Sequence, residues 1–154
     1  MKYREEITDE RIISIMSILM NIWTLFYTSG KQAQVRYVTA LFTNLSLLHG
    51  KCEYTSAAYV FYSFLVSTSN RDYQTSSEFD KVALYLAYKY DNLKARCKTL
   101  LLLSVATNYY TEPLTVCTQL QENCFKLCLE VGDFATSAHL AHYIVTDRFF
   151  QGLE

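Results

Sequence analysis

The cysteines and histidines of the last third of the chain come closest to a chemical site. Cys117, Cys124 and Cys128 are separated by seven and four residues, a spacing that places them on one face of a helix. Thiolates at i and i+4 can share a soft metal ion, and His139 and His142 follow on the next predicted helix. A metal site made of Cys124, Cys128, His139 and His142 is therefore one hypothesis. The pairs lack the usual zinc-site spacing and buried cysteine is common, so the sequence favours core packing, with no metal and no cofactor.

Other sequence motifs of catalysis are missing. The four glycines cannot form a phosphate-binding loop of the GxxxxGK[ST] or GxGxxG type, and HExxH, CxxC and GxSxG do not occur. No serine or cysteine nucleophile with a histidine and a carboxylate partner is evident. The sequence therefore predicts a protein that is not an enzyme, although a compact helical enzyme stays an alternative because fold does not fix function.

Tyrosine is unusually frequent, with 13 residues that concentrate in the middle of the chain. Tyrosine packs in cores with its hydroxyl at the layer edge, and it is also enriched at protein interfaces. Both uses are expected here for different tyrosines. The candidates for contact with a partner are Tyr59, Tyr62, Tyr85, Tyr88, Tyr109 and Tyr110.

Composition places the 154 residues in one all-α domain, 1–154. With only four glycines and one proline, the chain lacks the turn residues of sandwiches and barrels. The net charge of -1 and the absence of a Lys/Arg stripe argue against nucleic acid as a partner. Five cysteines without a disulfide-framework spacing indicate a reducing compartment, and no targeting segment is evident, so the cytoplasm is expected.

Residues 12–30 carry no charge and approach the length of a membrane span. Polar residues recur along this segment at steps of three and four: Ser14, Ser17, Asn21, Thr24 and Thr28. They predict a helix of a globular domain with one solvent-exposed polar face and its remaining side chains in the core, rather than a membrane segment.

The helical period predicts seven helices, at about 8–27, 32–49, 53–68, 72–90, 93–109, 111–131 and 134–150. Gly30, Gly50 and Gly132 mark helix ends. A capping box is predicted at residues 75–78, and Pro113 is predicted in the first turn of the sixth helix.

The breaks between the helices recur every 41 residues, at 49–51, 90–92 and 131–133. The preceding helices align at the same offset, so that Phe42, Ala83 and Cys124 match. A self-similar two-helix unit is typical of a helical solenoid, built here from antiparallel helix hairpins. An irregular helical bundle is the alternative.

Several of these segments resemble a known family. Asn44-Leu45-Ser46, Gly50 and Ser56-Ala57-Ala58-Tyr59 resemble the tetratricopeptide-like helical-repeat region of bacterial multi-sensor signalling ATPases and kinases, in which an AAA-type ATPase precedes the repeats. Residues 79–86 and 130–135 are similar to later helices and turns of that region. The resemblance implies a TPR-like fold and a bacterial signalling context. It carries over no catalytic residue.

Together these observations predict a non-catalytic protein-interaction or regulatory module. A partner helix or peptide would bind in a groove between stacked helices. The resemblance implies a protein partner or a neighbouring ATPase or kinase domain, and exposed end helices favour a homodimer. A small-ligand sensor with a pocket between helices and a Cys/His metal-binding protein are the alternatives.

Overall fold

The computed structural model describes residues 5–152, which form seven α-helices joined by short links. They are α1 (Glu10–Thr28), α2 (Gln32–His49), α3 (Thr55–Leu65), α4 (Tyr73–Lys89), α5 (Leu93–Leu102), α6 (Leu114–Glu130) and α7 (Phe134–Phe150). Within this range there is no β-strand, only an isolated parallel pairing between Glu6 and Lys51. The predicted all-α class and the number of helices are confirmed.

Helix ends follow local capping. Asp133 and Asn92 accept hydrogen bonds from the backbone three residues into α7 and α5. Asp72 does the same for α4, at 3.0 Å from the Thr75 nitrogen, so the predicted capping box at residues 75–78 is wrong. The carboxylate of Asp72 precedes that box and starts the helix earlier. Pro113 lies just before α6 rather than in its first turn.

The third and the fifth predicted helices are α-helical only in their first parts. α3 and α5 give way to π-helical turns at Val66–Asn70 and Leu103–Thr107, and a 3₁₀ turn follows the second at Asn108–Tyr110. In both turns a hydroxyl bonds a carbonyl of the preceding turn: Ser67 to Phe64 at 3.0 Å and Ser104 to Leu101 at 3.0 Å. These bonds compete with the α-helical ladder, which explains why the regular helices are shorter than predicted.

The period of 41 residues recurs in the helix positions. α2, α4 and α6 begin at Gln32, Tyr73 and Leu114, and each start lies 41 residues after the one before. The aligned Phe42, Ala83 and Cys124 are all fully buried. The repeat read from the sequence therefore corresponds to equivalent helices with equivalent buried positions.

Each helix packs against the next along the chain, and α1, α3, α5 and α7 also contact one another in that order. The core lies between these layers and includes Trp23, Phe42, Phe61, Leu86 and Leu140. This arrangement brings the four odd-numbered helices together around one surface depression.

The prediction for α1 is only partly right. Its polar stripe is turned outward and Met16 is buried in the core as expected, but Ile18 and Leu25, which were also assigned to the core, are 56% and 63% exposed. In the described part of the chain, α1 is the one helix long and apolar enough to cross a membrane, and 22% of its apolar stretch is buried. Length and composition alone make this weak evidence for a membrane span.

Candidate functional site: a groove between the odd-numbered helices

A cavity of about 420 Å³ lies between α1, α3, α5 and α7. We call it the odd-helix groove. Its walls include Trp23, Tyr27, Thr28, Phe61, Phe64, Lys98, Leu101, Val105, Ala106, Tyr109, Tyr110, Ala135, Thr136, His139 and Tyr143. Apolar and aromatic side chains dominate this lining, as in most binding sites for apolar ligands.

Stacked aromatic rings form one wall of the groove. Trp23 stacks on Phe61 with ring centroids 4.0 Å apart and on Tyr27 at 5.1 Å, while Phe64 meets Trp23 edge-on. The indole N–H of Trp23 donates to Thr39 Oγ1 at 2.8 Å. Because this hydrogen bond joins α1 to α2, it fixes the indole ring and leaves it no free polar atom to present to the groove.

The one lysine in the groove wall is already paired. Lys98 Nζ donates to Thr136 Oγ1 at 2.6 Å and lies 3.3 Å from Asp133 Oδ2, and both charged side chains are mostly buried. Burial opposes ionisation of Asp133, but hydrogen bonds from Thr136 and the charge of Lys98 together lower its pKa. The groove is therefore close to neutral at this point.

The other polar groups of the groove wall are the ring of His139 and hydroxyl groups, which belong to Thr24, Tyr27, Thr28, Thr68, Tyr109, Tyr110 and Tyr143. Burial, and secondarily the nearby Tyr143, raises the pKa of Tyr27. The side chain of Tyr27 therefore stays a neutral hydroxyl group, suited to hydrogen bonding rather than to charge pairing.

The six tyrosines predicted as partner contacts separate into three groups. Tyr109 and Tyr110 line the odd-helix groove. Tyr59 and Tyr62 pack their rings against Phe79, at centroid distances of 5.5 Å and 4.7 Å. The remaining pair, Tyr85 and Tyr88, is exposed on α4 and does not line the groove.

The structure does not bring the four candidate metal ligands together. Cys124 and Cys128 are fully buried with their sulfurs 3.9 Å apart, and the Cys124 thiol donates to the Cys97 carbonyl at 3.5 Å. His139 lines the groove instead. In residues 5–152 no three or more His, Cys, Asp or Glu side chains form a group able to hold a metal ion. The contacts with Cys128 and Cys97, together with burial, raise the pKa of Cys124, so the thiol stays protonated.

A second, smaller cavity of about 250 Å³ adjoins Tyr109 beyond the groove. We call it the acidic pocket; it is lined by Tyr109, Glu112, Leu114, Asp147 and Phe150. The Tyr109 hydroxyl and the Gln121 amide nitrogen both donate to Asp147 Oδ2 at 2.7 Å. Burial, and next the hydrogen bond to Asp147, raises the pKa of Tyr109, which holds the phenol as a donor.

Sequence reasoning missed most residues of these two cavities, among them Trp23, Lys98 and Asp147. Trp23 is the only tryptophan of the chain, and this rarity was the one available signal. Asp147 is the one acidic residue of the segment predicted as the seventh helix, which marks it as a polar residue that needs a partner, but Lys98 follows Lys94 and Arg96 and has no such signal.

No protein-family model matches the chain, and no curated protein and no solved structure matches it either. The odd-helix groove and the acidic pocket therefore carry the functional inference.

Proposed function

We propose that the chain is a non-catalytic binding module that takes an apolar helical segment of a partner protein in the odd-helix groove. The observation that carries the proposal is that one apolar depression is lined by all four odd-numbered helices, with Trp23 and Phe61 stacked in its wall. An amphipathic helix placing apolar side chains in such a groove is a common mode of recognition.

The repeat supports this interpretation. Helices that restart every 41 residues, with odd helices touching odd helices, fit a TPR-like α-solenoid of stacked helix hairpins. Solenoids of this kind bind partners along the face formed by one set of helices. By the resemblance stated above, the module would serve a bacterial cytoplasmic signalling protein, and its partner would be another protein or a neighbouring ATPase or kinase domain.

The chemistry of the groove specifies a neutral, apolar occupant. Lys98 is neutralised by Asp133 inside the wall, and the other polar atoms are neutral hydroxyls and an imidazole. Because each square ångström of apolar surface removed from water contributes about 25 cal/mol, leucine or phenylalanine anchors would supply most of the affinity. Tyr109 and Tyr110 at the edge would add aromatic contact.

A small-ligand sensor is the second candidate, favoured by the size of the cavity. A volume of about 420 Å³ lies within the range of small-molecule sites. The hydroxyls of Tyr27 and Tyr143 with His139 would orient a compact apolar molecule that carries one hydrogen-bonding group.

Trp23 provides the test, because it is the only tryptophan and lies in the groove wall. A designed neutral helical peptide, with Leu and Phe repeating at three- and four-residue steps, is titrated while Trp23 emission is followed. We expect a saturable change in emission and weakening of about tenfold by Ala135→Leu, which fills the groove. Ala138→Leu on the same helix, exposed but outside the lining, is the matched control.

Two results would overturn the peptide-binding proposal: a scrambled peptide that binds equally well, or unchanged binding to the Ala135→Leu variant. A parallel titration with 1-naphthol, a compact aromatic alcohol, separates the second candidate. Saturable binding of 1-naphthol with no binding of the helical peptide would favour the small-ligand sensor.

A further inference from the structure

Asp147 is a buried carboxylate with neutral neighbours. Its residue is only 4% exposed, and the hydrogen-bond donors that reach it are the Tyr109 hydroxyl and the Gln121 amide. A carboxylate removed from water is stabilised mainly by a cation or by several strong donors. Two neutral donors compensate only part of that loss of hydration.

Glu112 adds a second carboxylate to the same pocket. The ion pairs among residues 5–152 join Lys89 to Glu6, Lys98 to Asp133, and Arg148 to Glu122. None of them involves Asp147 or Glu112. Although Arg148 follows Asp147 directly in the chain, its guanidinium is 2.6 Å from Glu122. The acidic pocket therefore holds two acidic side chains with no ion-pair partner in the described part of the chain.

The nearby helix end does not balance this charge. α6 begins at Leu114, which lines the pocket, and a helix N-terminus carries roughly half a positive charge. That is less than one carboxylate. Burial first, and then Asp147 and Glu112, raises the pKa of the Cys117 thiol on the first turn of α6, so both acids act on this same region.

Gln121 gives an independent sign that the cluster is incomplete. Its side chain is fully buried behind Asp147, its amide nitrogen donates to Asp147 Oδ2 and to the Ser104 carbonyl, and its Oε1 atom has no hydrogen-bond partner. A buried amide oxygen without a partner is rare in folded proteins. The residues that support Asp147 therefore hold one buried acceptor that no donor in the described part of the chain reaches.

The rim of the pocket suits a cation as well. Phe150 is largely exposed beside the pocket, and Tyr109 forms the wall shared with the odd-helix groove. Aromatic faces attract ammonium and guanidinium groups, most strongly where water is excluded. A cation there would meet the carboxylates of Asp147 on α7 and Glu112 in the link before α6, and the rings of Phe150 on α7 and Tyr109 in the 3₁₀ turn.

We propose that the acidic pocket receives the ammonium or guanidinium group of a lysine or arginine on the partner segment that occupies the odd-helix groove. The inference rests on the proposed function, and Tyr109, which lines both cavities, makes the link between them. The partner would thus be an amphipathic helix with an apolar face and one basic residue beyond its end.

The test compares two peptides that differ at one position. The apolar helical peptide is made with a terminal arginine or with glutamine in its place, and the dissociation constants are measured from Trp23 emission. We expect the arginine peptide to bind about tenfold more tightly. Glu112→Gln and Asp147→Asn should remove that difference, whereas Glu122→Gln, which changes a carboxylate outside the pocket, should preserve it.

Glu112 is exposed, so Glu112→Gln is expected to fold even where Asp147→Asn does not. Equal binding of the two peptides, or an arginine preference that survives Glu112→Gln, would overturn the inference while leaving groove binding intact.

A separate titration with n-butylammonium, against n-butanol as its neutral analogue, reports on the pocket alone through the amide NMR shifts of residues 109–114. Amide shifts caused by n-butylammonium and not by n-butanol, without any peptide binding, would contradict the proposed function but support a cation site. No selective shift would overturn the cation site.

Discussion

Asp80 on α4 and Gln121 on α6 lie 41 residues apart at equivalent positions of the repeat, and each has one buried side-chain oxygen without a hydrogen-bond partner. The same position of α2 is Thr39, whose hydroxyl accepts from Trp23 and donates to the Val35 carbonyl. Each repeat thus places a polar side chain at the same inner position, and in α2 its hydroxyl both accepts and donates. Gln121 still donates through its amide nitrogen to Asp147 and the Ser104 carbonyl, so Asp80 is the member at which substitution should raise stability.

Replacement of Asp80 by asparagine tests whether its unsatisfied carboxylate lowers the stability of the fold. Burial raises the pKa of Asp80, and the hydroxyls of Ser63 and Thr107 offset that effect only in part. A carboxyl group whose pKa is higher in the folded state binds protons more tightly when folded. Its stabilising contribution is therefore present below the ordinary pKa of aspartate and is lost as pH rises through the folded value.

We therefore expect Asp80→Asn to be about 1 kcal/mol more stable than the native chain at neutral pH, with the difference shrinking toward about pH 4. Urea unfolding at both pH values measures it. Asp91→Asn, in the exposed link after α4, is the matched control. A destabilised Asp80→Asn variant at neutral pH would show that the ionised carboxylate is needed.

Thr39→Val should lower the free energy of unfolding, the opposite of the effect expected for Asp80→Asn. It removes the oxygen that accepts from Trp23 Nε1 at 2.8 Å and leaves a buried indole N–H unpaired. We expect a loss of about 2 kcal/mol in the free energy of unfolding and a shift in Trp23 emission.

Thr99→Val is the matched control, because Thr99 is also fully buried but its hydroxyl donates only to the Ala95 carbonyl of its own helix. Equal losses in the two variants would mean that the Trp23 bond contributes nothing beyond burial.

Helix positions could be predicted from the sequence because their signals are local. Gly30, Gly50 and Gly132 all have positive φ at helix ends, as their placement indicated, and the 41-residue spacing appears in the helix starts. The π-helical turns could not be predicted in the same way. They depend on which backbone carbonyl accepts the hydrogen bond from the hydroxyl of Ser67 or Ser104 in the packed structure.

The candidate site was less predictable, because helical periodicity does not show which apolar face meets which neighbour. α1 is apolar around most of its surface, so its sequence cannot tell that Trp23 lies in the groove wall while Ile18 faces outward. Tyr109 and Tyr110, two of the six tyrosines expected to contact a partner, line the groove, and their contact with a partner stays a prediction. Asp147 gains its surroundings from residues 26 and 38 positions away in the chain.

Gly50 is expected to be the least replaceable glycine. Its φ is +112°, and a Cβ atom there would lie 2.1 Å from the Glu5 carbonyl oxygen. That close approach exists because residues 5–7 pair with Lys51: Ile7 N–H donates to the Lys51 carbonyl at 2.8 Å. We predict that Gly50→Ala lowers the free energy of unfolding by about 3 kcal/mol.

Gly132→Ala is the matched comparison, since Gly132 has a φ of +72° but no atom within 4 Å of the added Cβ. Its expected loss is about 1 kcal/mol, from the backbone conformation alone. Thermal or urea unfolding of both variants would measure the difference, and equal losses would mean that the segment at residues 5–7 moves aside freely.

The ion pair between Lys98 and Asp133 should make the stability of the fold fall at acid pH. The pair is 14% and 16% exposed, and Asp133 also caps α7 through the Thr136 nitrogen at 3.1 Å. Because the pKa of Asp133 is lowered in the folded state, its contribution to stability is present above the ordinary pKa of aspartate and is lost as pH falls through the folded value.

Lys98→Met should therefore lower the free energy of unfolding by about 2 kcal/mol at neutral pH and make the acid-induced loss of stability shallower. Urea unfolding across this acid range, with exposed Lys94→Met as the control, distinguishes the ion pair from general loss of positive charge. A neutral-pH stability of Lys98→Met equal to that of Lys94→Met would show that the pair only positions the side chains and adds no net stability.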